Sequence, residues 1–249
     1  MFSQSSKRQA RGFTLIELIT VIVILGILAV GVSNFLQFGS NIYAESTARD
    51  KLVSGARFAI ERLNREVRQA LPNSLRVSNV GSSTCLTFMP IWGVTTYIDI
   101  PVSPESPKNA IEVVPFEVSD IANADKVIVY PTHQSDTQAA SGKVHSFNSI
   151  DDSVTPWQVN LASNVIFDTD SPTKRIYFIG NDTQICLSNT GTLLRNNVTI
   201  AEGIDTASSI IEVIPASLQR NALVRISLLF KENDEQALFS NEIQVPNVP

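Results

Sequence analysis

FTLIELITVIVILGILAVGV, residues 13–32, carries one charged side chain, Glu17, and two threonines, Thr14 and Thr20. As a helix this run extends about 30 Å, the thickness of one hydrocarbon core. Lys7, Arg8 and Arg11 precede it and no basic cluster follows at once. The positive-inside bias therefore sets the N-terminus in the cytoplasm and the remainder outside. A cleaved secretory signal would end in a small-x-small site, and the candidate Ala29-Val30-Gly31 lies inside the apolar run with no polar exit before it. A plain signal anchor fits the length and flanks but leaves Glu17 unexplained. An acid in the bilayer costs about 2.5–3.5 kcal/mol on insertion scales, so a functional partner is sought for it.

The residues KRQARGFTLIELI resemble the class III leader junction of type IV pilins and type II secretion pseudopilins. Gly12, Phe13, Thr14, Leu15, Ile16, Glu17 and Leu18 stand in that family's order. The resemblance implies that a prepilin peptidase cuts after Gly12 and N-methylates Phe13. It also implies that Glu17 pairs with the new amino terminus of a neighbouring subunit during filament assembly. An amino terminus has a pKa near 8 and is cationic at neutral pH. Removing one member of a buried ion pair costs about 3–5 kcal/mol, so an unpaired Glu17 favours lateral assembly. Further partners implied are other pilins or pseudopilins, an inner-membrane assembly platform and the lipid itself. The implied location is the bacterial inner membrane, single-pass with the head in the periplasm, and then a pilus or pseudopilus.

Composition places limits on the rest. The chain of 249 residues has enough apolar content for a sizeable core. A formal charge of −5, more negative still without Lys7, Arg8 and Arg11, excludes a general nucleic-acid binder, because no basic surplus exists to neutralise phosphates. The two cysteines, Cys85 and Cys186, form no C-x-x-C spacing, which argues against a ribbon-type zinc site or a thioredoxin-like pair. Outside the cytoplasm they would be either one disulfide, closing a loop worth about 4–5 kcal/mol in the chain-entropy model, or two separate buried thiols.

Helical periodicity continues beyond the apolar run. Leu52, Val53, Ala56, Ala59, Ile60, Leu63, Val67, Ala70 and Leu71 share one face, with Arg57, Glu61, Arg62, Arg65 and Arg68 on the other. Glu45 to Arg49 and Glu61 to Arg65 have supportive i,i+4 spacing. Pro72 ends the pattern, so one helix from Phe13 to Leu71 would extend about 90 Å. Phe58 falls nearly opposite the apolar stripe and is read either as a lone exposed aromatic or as a contact with a neighbouring subunit. Gly26, Gly31 and Gly39 lack G-x-x-x-G spacing. They are tolerated membrane glycines or mark a stretch near residues 26–34 that unwinds on leaving lipid.

After Pro72 short β runs take over: LTFM, TTYIDI, IEVVPFEV, KVIVY, KRIYFIG, TLLRNNVTI, SIIEVI, LVRISLLFK and ALFSNEIQV. Helix followed by strands predicts an α+β fold, with an antiparallel sheet laid on the amphipathic half of the helix. FKENDEQALF is a predicted closing hairpin. Pro90, Pro101, Pro104, Pro107, Pro115 and Pro131 confine the first strands to edges, bulges or loops. Residues 132–143, THQSDTQAASGK, lack a core residue and predict a surface loop. The expected organisation is therefore a leader at 1–12, a transmembrane or filament-core helix at 13–36, its amphipathic continuation at 37–71 and a β-rich periplasmic head at 72–249.

Motifs of catalysis are not found. His133 and His145 sit in no H-E-x-x-H pattern, and G-x-S-x-G and P-loop spacings are missing. No cofactor or resident metal is expected; Asp168, Asp170 and Asp182 read as turn-forming acids ahead of a calcium site. Asn197-Val198-Thr199 is a glycosylation sequon only in a host with the machinery. KRIYFIGNDTQICLSNTGTLLR and AIERLNREVRQALPNSLRV, with Cys186, Gly191, Leu193 and Arg195, resemble the O-type minor pilin of mannose-sensitive haemagglutinin (MSHA) pili and the J-type minor pseudopilins of type II secretion. The expected function is thus a non-enzymatic minor pilin of MSHA type. The alternatives are a J-type pseudopilin, or a tip adhesin that would use Trp92 and Trp157 as an aromatic platform.

Overall fold

The computed structural model describes residues 14–138, 141–217, 220–233 and 235–246, with the backbone alone at 119–120. It divides into two compact units, Met1–Lys51 and Leu52–Pro249.

Helix α1 (Leu15–Arg68) starts where the sequence supplies a cap. Thr14 Oγ1 accepts the Glu17 backbone N–H at 3.3 Å, satisfying one of the first-turn donors that no helix can pair internally. In the first unit every described side chain from 14 to 47 is exposed, including Leu15, Phe35 and Tyr43. A helix that is apolar all round belongs in a non-aqueous or protein-packed setting. In the second unit the same helix buries Leu52, Ala56, Ala59, Leu63 and Val67, the predicted stripe, with Val53 and Ile60 half-buried beside it. Burying each of the larger aliphatic side chains stabilises by about 1.5–3 kcal/mol.

The helix stops at Arg68, short of the expected Leu71. Gln69 and Ala70 tighten the last turn by donating to the carbonyls of Glu66 and Val67. The next backbone groups then pair with a strand connection instead: Leu71 N–H with Met89 O at 2.8 Å, and Ile91 N–H with Gln69 O at 2.8 Å. The ion pair on this stretch is Arg62 to Glu66 at 3.0 Å, one residue further along than the expected Glu61–Arg65.

The strands are β1 (Arg76–Val80), β2 (Ser83–Phe88), β3 (Ile91–Asp99), β4 (Lys108–Val113), β5 (Lys126–Val129), β6 (Val144–Asp151), β7 (Trp157–Val165), β8 (Arg175–Ile179), β9 (Thr183–Leu187), β10 (Leu193–Arg195), β11 (Val198–Ala201), β12 (Ile204–Ile214), β13 (Ala222–Glu232) and β14 (Glu235–Val245). The α+β class holds, but the single expected sheet is three bodies. One sheet has the order β1-β2-β9-β10-β11, another β12-β13-β14, and β3-β4-β7-β6-β5-β8 close into a barrel. All pairings between these strands are antiparallel.

The helical stripe packs on the two open sheets, joining Leu86, Phe88, Ile185, Leu193, Val224, Ile226, Leu228 and Ile243 in one core. The barrel holds a second core around Tyr97, Ile111, Val113, Val127, Val159, Ile176 and Phe178. Its strands contain none of the six early prolines, which lie in the connections. Of the edges, bulges or loops expected for these prolines the structure uses loops, and the strands between them are not edge strands, because they close into a barrel. β13 and β14 form the predicted closing hairpin, in unbroken register from Ala222↔Val245 to Glu232↔Glu235.

The expectation of a coreless loop at 132–143 also fails. Gln134–Thr137 forms a 3-10 turn and buries Asp136 and Thr137. Asp136 Oδ2 accepts from the Thr132 N–H and hydroxyl, the His133 N–H and the Lys143 ammonium, at 2.9–3.1 Å. Burial alone would raise the Asp136 pKa, but the Lys143 ammonium and the backbone donors of His133 and Thr132 outweigh it and hold the carboxyl below its usual range.

Candidate functional site

The site singled out by the sequence is the entry to α1. Gly12 and Phe13 lie outside the described residues. Thr14 and Glu17 form a Thr-x-x-Glu pair at the helix start, a capping-box pattern legible in the sequence yet absent from the expectations above. Thr14 Oγ1 accepts from the backbone N–H of Glu17, and the Thr20 hydroxyl donates to the Glu17 carbonyl at 3.0 Å. The Glu17 carboxylate itself is exposed, with no cation beside it among the described residues. In the first turn it also opposes the positive end of the helix dipole, worth about 0.3–1 kcal/mol. That is too little to offset an anion's cost in lipid. A cation from outside this helix is needed for balance. The same turn leaves the neighbouring surface, Leu15, Ile16, Leu18 and Ile19, wholly apolar and open.

The other singled-out residues are scattered. Cys85 and Cys186 face each other across β2 and β9 and are joined by a disulfide, with Cα atoms 4.0 Å apart. Phe58 is 59 % exposed, beside Glu61, Arg62, Arg65 and Glu66 in a shallow cleft. Arg195 spans from β10 to α1, its Nε 2.5 Å from Glu66 Oε2, so its salt bridge ties the sheet to the helix rather than lying within the sheet. Gly191, in the β9–β10 connection, has φ +77°, and a Cβ there would fall 2.3 Å from the Ile204 carbonyl oxygen.

Asp170 accepts from the Tyr97 hydroxyl, and Asp182 pairs with Arg76. Among the described residues no group of three His, Cys, Asp or Glu side chains could hold a metal ion. Trp157 packs on Phe116 with ring centroids 5.9 Å apart and borders the barrel core, whereas Trp92 projects from the outer side of β3 over Gly180. They form no shared platform. His145 is half-buried, its ring edge-on to Phe167 and its Nε2 without a partner; desolvation lowers its pKa below the ordinary value, against a raising influence from Asp168.

Residues 7–33 match the family described as the prokaryotic N-terminal methylation motif. The matched stretch contains the basic leader, the junction and most of the apolar run, and it supports a type IV pilin- or pseudopilin-like protein. The motif implies processing by a prepilin peptidase and assembly with other pilins. With the exposed apolar helix, which is long and apolar enough to cross a membrane, it fits a structural subunit anchored in the inner membrane. No curated protein and no solved structure matches the chain.

Proposed function

We propose that the chain is a minor pilin of an MSHA-type type IV pilus. Prepilin peptidase cuts it between Gly12 and Phe13 and methylates Phe13, and Glu17 receives the amino terminus of a neighbouring subunit. The observation that carries this reading is the coincidence of the matched motif with a capped helix start, which leaves the Glu17 carboxylate open on an all-apolar surface. The large β-rich body, with its disulfide, supports a specialised subunit over a repeating one. The J-type pseudopilin reading shares the same helix and is separated by which machinery copurifies.

Two measurements test this. Intact-mass analysis should show a methylated Phe13 terminus only in a host with prepilin peptidase, and a retained Met1 in both hosts would defeat the reading. Glu17→Ala should be processed normally yet fail to enter filaments; ordinary incorporation would remove the ion pair.

A further inference from the structure

The barrel hides all its edges, but the three-stranded sheet does not. β14 is its outer strand, running Glu235–Val245, and it pairs only with β13 among the described residues. Proteins usually blunt such an edge with lysine, proline, a bulge or a covering loop. β14 contains no lysine, arginine or proline, and its register with β13 is unbroken.

The direction of its free hydrogen-bonding groups follows from β13. Leu229 N–H donates to Ser209 Oγ at 3.0 Å and Lys231 N–H to Gly203 O at 2.7 Å, so these residues turn their backbone towards the β12 side. Leu228 and Phe230 therefore turn theirs towards β14, where they oppose Phe239 and Ala237. By alternation the N–H and C=O groups of Gln236, Leu238, Ser240, Glu242 and Gln244 point away from the sheet. Side chains tell the same story. On the inward face Val224, Ile226, Leu228 and Phe230 of β13 are buried, while Ala237 and Phe239 of β14 remain half-exposed for want of a neighbour.

Chemistry for one end of an occupant is present as well. A cleft of about 570 Å³ adjoins the last part of β14, lined by Arg68, Asn221, Glu242, Gln244 and Pro246. Glu242 is taken by Arg225 at 2.9 Å. Arg68, exposed at the end of α1, has no carboxylate partner among the described residues.

We propose that β14 is completed by an extended segment of another filament subunit, which adds a strand along Gln236–Gln244 and places an acidic group over Arg68. The backbone groups supply affinity, and alternate apolar side chains extend the face of Ala237 and Phe239. That the donor is a filament subunit rests on the function proposed above; the strand addition itself does not.

The test uses the full chain in detergent micelles and synthetic ten-residue Thr-Val repeats carrying an aspartate pair at one end or the other, with lysine-ended versions as controls. An aspartate-ended peptide should bind and slow hydrogen exchange at the amides of 236, 238, 240, 242 and 244. Leu238→Pro or Ser240→Pro, which removes an outward N–H, should abolish binding while thermal unfolding stays cooperative. Arg68→Glu should weaken the aspartate-ended peptide by at least about tenfold, as expected for a charged hydrogen bond, and transfer preference to the lysine-ended one. Should the proline variants fail to fold, the Arg68→Glu exchange of preference decides alone.

Absence of binding, or binding that ignores both substitutions, overturns the proposal. So does protection of those amides without peptide that grows with protein concentration, which would make the occupant a second copy. Peptide binding by a chain that retains Met1 in a host with prepilin peptidase would sink the filament reading and leave the strand site standing. Normal Glu17-dependent assembly by a chain that ignores the peptide would do the reverse.

Discussion

The two halves of α1 share a backbone and a period but not a fate. Residues 14–47 are exposed on every side although those up to Val32 are apolar but for Thr14, Glu17 and Thr20, whereas from Leu52 onward one side in every turn is buried to a few per cent. The difference lies in what is opposite. The second half has two sheets of its own chain against one stripe, with arginines and glutamates on the other side. The first half has no such partner within its unit, and its uniform surface specifies lipid or several helices at once instead of one sheet. Amphipathicity marks the part of a helix that folds with its own chain, and its loss marks the part whose packing is supplied from outside.

If this is right, truncating side chains in the two halves should separate stability from anchoring. Leu63→Ala, removing a side chain that is 1 % exposed, should destabilise the body by about 2–5 kcal/mol in denaturant unfolding. Leu25→Ala should leave that unfolding unchanged within error, because the side chain is exposed within its own unit and is not a member of the body's core. Equal effects would mean that the two halves do not divide as described.

A smaller effect, about 2–4 kcal/mol as is typical of disulfides and below the chain-entropy figure for a loop of this length, is expected when Cys85→Ala and Cys186→Ala are combined. The disulfide lies on the sheet that carries Leu86 and Ile185, so its loss should be felt in unfolding of the second unit while membrane partitioning of the whole chain stays as it was. Unaltered stability would show that the sheet is held by the helix stripe alone.

The smallest effect is a pH dependence confined to the body. Desolvation lowers the His145 pKa below its ordinary 6.5, so the folded form binds a proton less readily than the unfolded chain. The stabilisation is whole above about pH 6.5 and declines as pH falls through the lowered folded value. His145→Phe should flatten that part of a stability–pH curve measured between pH 7 and 5. Asp136 contributes in a separate window, below its ordinary 3.8, where protonation removes its hold on Lys143 and the 132–133 backbone. A curve that bends equally with and without His145 would assign the pH dependence elsewhere.

Much of the site could be read directly, since the junction at Gly12–Leu18 is a contiguous pattern and its chemistry is local. The Thr14 cap is equally local, a Thr-x-x-Glu spacing at the start of the apolar run. Glu66 with Arg195, and Asp136 with Lys143, could not be read in the same way: the first pair joins elements 129 positions apart, and the second depends on a turn that buries an acid in a polar stretch. Some barrel strands did carry a signal, for Trp157, Val159 and Leu161 alternate along β7, though Asn160, Ser163 and Asn164 dilute it. β6, with His145, Ser146, Asn148 and Ser149 among its eight residues, resembles a loop by composition.

By itself the amino-acid sequence determined the helix, its change from all-apolar to striped, the closing hairpin and the α+β class, because each depends on neighbours within a few residues. Only the tertiary structure decided that six strands close on themselves, that two sheets share the helix between them, and that β14 is the outer strand of its sheet, paired with β13 alone among the described residues. Those outcomes rest on register and pairing between distant segments, where a strand's partner is chosen by the packing of the whole body and not by the strand's own pattern.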